Sequence, residues 1–193
     1  MVPHDPLCNP GVMHSRIPRD YRALRAGRWS ETGRIYLVTT VTWQRQRLFE
    51  DWRCAWAAAS CLGHADTWAG AQLLCWVLMP DHWHGLVMLE RGAALPTVMR
   101  EAKGRAARSA NHARGRGGAV WMEGFHDRAL RDTRQLLPAA RYIVANPLRA
   151  GLVRRVGDYP YWDAVWLCPV ATAPCAASCS GAGATARCRA DRR

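Results

Sequence analysis

The 193-residue chain suits one domain with room for a core, and its 49% apolar share with ten tryptophans fits a globular protein. No apolar run approaches the roughly 20 residues of a bilayer-spanning helix, and the opening MVPHDPLCNPGVMHSR lacks the basic-then-apolar order of a secretory signal, so a cytoplasmic protein without a membrane partner is expected. The formal charge of +12 favours nucleic acid or another polyanion as partner.

Residues 1–20, rich in proline, read as a loose end, and residues 21–167 as the folded unit. Arg34 to Trp43, RIYLVTTVTW, is rich in β-branched and aromatic residues and predicts a strand. Asp51 to Leu62, DWRCAWAAASCL, predicts an amphipathic helix, with an acidic start and Trp52, Ala55, Trp56 and Ala59 at helical spacing on its apolar side. Gln72 to Met79 and His82 to Leu89 are apolar runs separated by Pro80 and Asp81, the pattern of a hairpin. Leu95 to Ala113 is Ala-rich and basic, a helix for which Thr97 offers a cap; its positive face is either an ordinary solvated surface or a DNA contact.

After the loop ARGRGG, the stretch AVWMEGFHDRAL predicts a short strand. Asp132 then caps a helix from Thr133 to about Ala145, ended by Asn146-Pro147 because a residue before proline is pushed out of the helical region. Residues 168–193 carry few large apolar side chains and read as a disordered tail. The eight cysteines form no C-x-x-C pair, which points to free thiols rather than a disulfide framework or a zinc site. The resulting order is that of an α+β, ferredoxin-like βαββαβ antiparallel sheet with helices on one face, followed by an added C-terminal helix.

The chemistry-bearing residues sit in two of these elements. Side chains in a strand alternate, so His82 and His84 project together while Trp83 turns away. The pair is either a metal-binding half-site or two half-buried histidines without such a role. Tyr142 and Asn146, four apart, share a helical face. Tyr142 is either a nucleophile in need of a polarised target or a core residue at a packed helix end; Asn146 offers a neutral oxygen to a hard cation.

Together, GRIYLVTTVTWQRQRLF, CWVLMPDHWHGLVML, GFHDRALRD and YIVANPLRAGLV, in that order between Tyr21 and Trp166, resemble the REP-associated tyrosine transposases of the single-tyrosine HUH transposase superfamily. The resemblance implies a mobile-element enzyme of the nucleoid that nicks and rejoins single-stranded DNA beside hairpins, working as a monomer or homodimer. It makes His82 and His84 ligands of Mg or Mn, Asn146 the third ligand, and Tyr142 the nucleophile of a 5′-phosphotyrosine intermediate. His126 matches a motif position with no defined ligand role. Lys103, the one lysine, and Arg105, Arg128, Arg131 and Arg149 become candidates for DNA phosphates, since the planar arginine fork suits phosphate oxygens. Two other readings remain: a hairpin-binding protein of the same fold without catalysis, and a small metallohydrolase unrelated to DNA, which the charge and the lack of an acidic base near HWH disfavour.

Overall fold

The structure, a computed structural model, describes residues 33–167. The loose end expected at 1–20 and the tail expected from Cys168 lie outside the described residues. Strand β1 (Ile35–Val41) stops short of Trp43, because the Thr42 amide donates to the Asp81 carbonyl at 2.9 Å and the chain turns there into a 3-10 turn, Trp43–Arg45. Helix α1 (Trp52–Gly63) starts at Asp51, whose carboxylate accepts the Arg53 amide. Strands β2 (Ala71–Met79) and β3 (His82–Leu89) form the expected hairpin, with Pro80 and Asp81 between the Met79–His82 pair. Helix α2 (Leu95–Ala113) has the expected span, but Thr97 is not its cap: Ala94 holds that position without a side-chain bond, and Pro96 lies in the first turn, where an amide would lack a partner anyway.

The strand expected in residues 119–130 shrinks to β4 (His126–Ala129), with an isolated bridge between Thr42 and Trp121. The expected 133–145 helix is split, a 3-10 turn at Thr133–Gln135 capped by Asp132 preceding α3 (Leu136–Val144). Helix α3 ends at Val144, beside the expected boundary, but Asn146-Pro147 does not stop the helical path beyond it. Ala145 keeps helical angles, and a short helix α4 (Asn146–Arg149) follows with Pro147 in its first turn, where a missing amide costs no bond. A further strand, β5 (Trp162–Ala164), was not foreseen.

The five strands lie in the order β4-β1-β3-β2-β5, each neighbouring pair antiparallel. This is the α+β sheet expected, with β5 added beside β2. Helices α1 and α2 cover one face and α3 the other. Alternation in β3 sends Trp83, Val87 and Leu89 to the α1/α2 side and Leu86 and Met88 to the α3 side.

Helix α1 is rotated from the expectation. Its buried stripe is Cys54, Ala55, Ala58, Ala59 and Leu62, while Trp52 and Trp56 are 66% and 63% exposed. The reason lies in α2, which presents Ala102, Ala106 and Ala110 to the same core; small side chains on both helices let the backbones approach and leave no room for indoles. Among the described residues, no helix is long and apolar enough to cross a membrane, and Cys54, Cys61 and Cys75 are free thiols.

Trp83, only 1% exposed, stacks on Trp68 with ring centroids 5.6 Å apart and lies across Gly85. A Cβ built on Gly85 would overlap the Trp83 ring, so glycine at this position makes room for the large central residue of the HWH motif. Replacing Gly85 with alanine is therefore expected to destabilise the fold by about 1–3 kcal/mol, the usual cost of overpacking a core. A drop in the denaturant midpoint at unchanged slope checks this, and an unchanged midpoint would show that Trp83 has another place to go.

Candidate active site

With Trp83 locked into the α1/α2 core, the β-strand period turns His82 and His84 to the opposite face, under α3. Their rings stand edge to face with centroids 4.7 Å apart, within reach of a single ion forming metal–nitrogen bonds of about 2.1 Å. Each ring is held by its Nδ1. That of His82 lies 2.5 Å from Asp81 Oδ1, and that of His84 lies 2.7 Å from Thr39 Oγ1. A carboxylate only accepts, so the His82 Nδ1 carries the proton and its Nε2 lone pair is the one left to accept or ligate. A Thr39 hydroxyl accepting from His84 would leave the same atom of the second ring as a ligand.

Electrostatics favour the neutral form of His84. Burial first, then the neighbouring His82 and Arg45, push its pKa down from 6.5 to about 3, with Asp81 acting in the other direction. The Asp81 carboxyl meets opposed influences: desolvation is the largest and works upward, but the hydrogen bond and charge of His82 together with Arg45 leave it below the usual carboxylate value.

Helix α3 brings Tyr142 to this pair, its ring centroid 6.2 Å from that of His84. Asn146 lies one turn on. Its Nδ2 donates to the carbonyls of Tyr142 and Ile143 at 3.0 and 3.2 Å, which turns the amide nitrogen back onto its own helix and leaves Oδ1 as the atom suited to a cation. The helical junction also carries Arg149 back over Tyr142, with Cζ 4.9 Å from the ring centroid, a cation–π arrangement that sets a positive charge beside the phenol. Among the described residues no group of three His, Cys, Asp or Glu side chains could hold a metal ion. The candidate donors are the two imidazoles and, one turn beyond Tyr142, a neutral amide oxygen, a set whose chemistry would suit a cation with positions left open.

Strand register adds two of the candidate DNA contacts to the same face. Thr39 pairs with His84 on one side and His126 on the other, and directly opposed residues share a face, so His84, Thr39 and His126 form a row across three strands. Arg128, opposite Leu37, stands two residues along from His126 and is exposed. Arg131 is exposed between β4 and the Thr133 turn.

Lys103 and Arg105 are placed elsewhere. Both belong to α2, with the sheet between them and the histidines. The Lys103 ammonium donates to the carbonyls of Met122 and Gly124, and Arg105 Nη1 donates to the Asp66 carbonyl at 2.9 Å.

The sequence reading missed three residues of the site: Thr39, Asp81 and Arg45. Asp81 was legible only as a turn residue, although its place directly before His82 was a signal. Thr39 and Arg45 meet the histidine motif only through strand pairing and a turn.

Residues 32–146, more than half of the chain, match the family described as "Transposase IS200 like". A curated relative, a REP-associated tyrosine transposase of Escherichia coli (strain K12), is 30% identical over 91 residues, covering 47% of this chain and 52% of the relative. The chain thus spans about half the length of that relative. A solved structure of a REP-associated tyrosine transposase bound to a REP hairpin is similar with a TM-score of 0.55 and 25% identity, over 70% of this chain and 79% of the other. The strand order that sets HWH under a tyrosine-bearing helix and the match across residues 32–146 lead to one conclusion: the chain belongs to the IS200-like transposase family.

Proposed function

We propose that the chain is a metal-dependent endonuclease and strand-transferase of single-stranded DNA that cuts beside a hairpin through a 5′-phosphotyrosine. The observation that carries this reading is the setting of the Tyr142 ring against two histidines whose Nδ1 atoms are already engaged. A divalent cation, Mg or Mn, held by His82, His84 and the Asn146 oxygen, would supply charge withdrawal from a DNA phosphate. Tyr142 supplies the nucleophile: its phenolic oxygen bonds to phosphorus as the bond to the 3′ oxygen breaks. The phenol gives up its proton to solvent, and the departing 3′ oxygen takes one up. The phosphodiester energy stays in the phosphotyrosine, so a 3′-hydroxyl attacking the same phosphorus reverses the step and joins strands without a nucleotide cofactor.

The remaining residues bind and orient. Arg149, beside the phenol, suits the charge of the reacting phosphate, and His126 and Arg128 extend a track for the backbone along the β4 edge of the same face. Arg131, Arg105 and Lys103 would act away from the chemistry, as contacts to a longer or folded substrate. Hairpin recognition is carried over from the relative bound to a REP hairpin and gains support from the charge of +12.

Incubation with a labelled strand carrying a hairpin and a single-stranded flank is expected to give a covalent adduct that disappears on chelation and returns with Mn2+ or Mg2+. Tyr142→Phe should abolish the adduct while hairpin affinity stays within about threefold, since only one hydroxyl is removed. An adduct of normal yield in that variant would remove Tyr142 from the chemistry, and hairpin binding by the wild-type chain without any adduct would make it a binding protein.

The histidine site also sets a pH dependence. Because the folded pKa of His84 lies below its ordinary 6.5, the unfolded chain binds a proton that the folded chain refuses as pH falls. Stability of the metal-free protein is thus complete above about pH 6.5 and is lost progressively toward about 3. Denaturant midpoints measured downward from pH 6.5 should fall in the wild type and flatten in His84→Gln; equal slopes in the two proteins would contradict a neutral, half-buried His84.

A further inference from the structure

Residues 42–46 make an unusual turn. Gln44 and Arg45 are consecutive non-glycine residues with φ of 52° and 54°, in the left-handed region that L side chains rarely adopt. The turn is pinned to the β2–β3 hairpin from several sides. The buried Thr42 bonds the Asp81 carbonyl through its amide at 2.9 Å, its hydroxyl lies 2.6 Å from the Gln46 carbonyl and 3.0 Å from that of Asp81, and the Phe49 amide donates to the Pro80 carbonyl at 3.0 Å. What the strained path delivers is the Arg45 guanidinium, whose Nη1 sits 3.2 Å from Asp81 Oδ2. The other oxygen of that carboxylate holds His82 Nδ1 at 2.5 Å.

We infer that Arg45 and Asp81 are a positioning pair for His82: the left-handed turn aims Arg45 at Asp81, and Asp81 fixes His82 with the proton on Nδ1 and Nε2 presented for ligation. The metal-binding consequence rests on the function proposed above, whereas the tautomer does not. Asp81 has two oxygens and two partners, so each contact orients it for the other. Without Arg45 the half-exposed carboxylate can rotate into solvent, and without Asp81 the imidazole can turn over and offer Nδ1 or a protonated Nε2 instead. Orientation by a carboxylate behind a ligating histidine also raises the basicity of the ring, and loss of such a partner typically weakens metal affinity by about 10–100-fold.

Two measurements on the full chain test this. Nitrogen-15 NMR of the His82 ring in the metal-free protein, in alkaline buffer, should show the Nδ1–H tautomer in the wild type and a mixture in Asp81→Ala. Asp81→Asn, which keeps an accepting oxygen, should retain most of the wild-type pattern. The same tautomer ratio in wild type and Asp81→Ala, or Nε2–H in the wild type, overturns the proposal.

Mn2+ titration should show affinity about 10–100-fold weaker in Asp81→Ala and a smaller loss in Arg45→Gln partly restored by Arg45→Lys. Undiminished Mn2+ affinity in both Asp81→Ala and Arg45→Gln overturns the positioning role. A wild-type chain that binds no Mn2+ removes the metal reading alone, and the tautomer ratio then decides for the pair. Arg45 is a surface residue, so Arg45→Gln keeps the experiment decisive if Asp81→Ala does not fold.

Discussion

Trp83 cannot move, and the site depends on that. The indole fills the space above Gly85, stacks on Trp68 and is sealed under α1 and α2. Since strand side chains alternate, fixing this ring to one face fixes the imidazoles of His82 and His84 to the other with no freedom to share the choice. A one-residue slip of β3 would bury both histidines among alanines and expose the tryptophan. Hydrophobic burial on one side of the sheet thereby enforces the polar geometry on the other.

The second side is assembled from separate parts of the chain. Thr39 comes from the neighbouring strand, Asp81 from the hairpin turn, Arg45 from a turn that ends β1, and Tyr142 from a helix laid over the sheet more than fifty residues later. Each imidazole has one nitrogen committed to the protein, which leaves the other for chemistry. The continued helical path through Asn146 and Pro147 returns Arg149 to the tyrosine, so the phenol and a positive charge travel together on one short unit.

Much of this was legible from sequence where the signal is local. The β2–β3 hairpin follows from two apolar runs around Pro80-Asp81, α2 has the expected span, and the shared side of His82 and His84 follows from strand period alone. What failed depended on partners distant in sequence. The orientation of α1 was misread because tryptophans at helical spacing look like a core face, and only the alanines of α2 decide that small residues go inside. Asn146-Pro147 marked the end of α3 but hid α4, since the rule for residues before proline does not register that a helix can restart with proline in its first turn. Strand β5, three residues long, carries too little pattern to be seen. The Thr39 and Arg45 contacts exist only through pairing register and a left-handed turn, neither of which composition encodes.

The central claim is that the oxygen of Tyr142 becomes bonded to DNA. The most direct measurement is proteolysis of the protein after reaction with a hairpin-flanked single strand, followed by mass spectrometry of the peptide that retains nucleotide. The expected product is a 5′-linked nucleotide phosphate on the peptide containing Tyr142, formed only with divalent metal present. A nucleotide on any other residue, or on Tyr142 equally without metal, would contradict it.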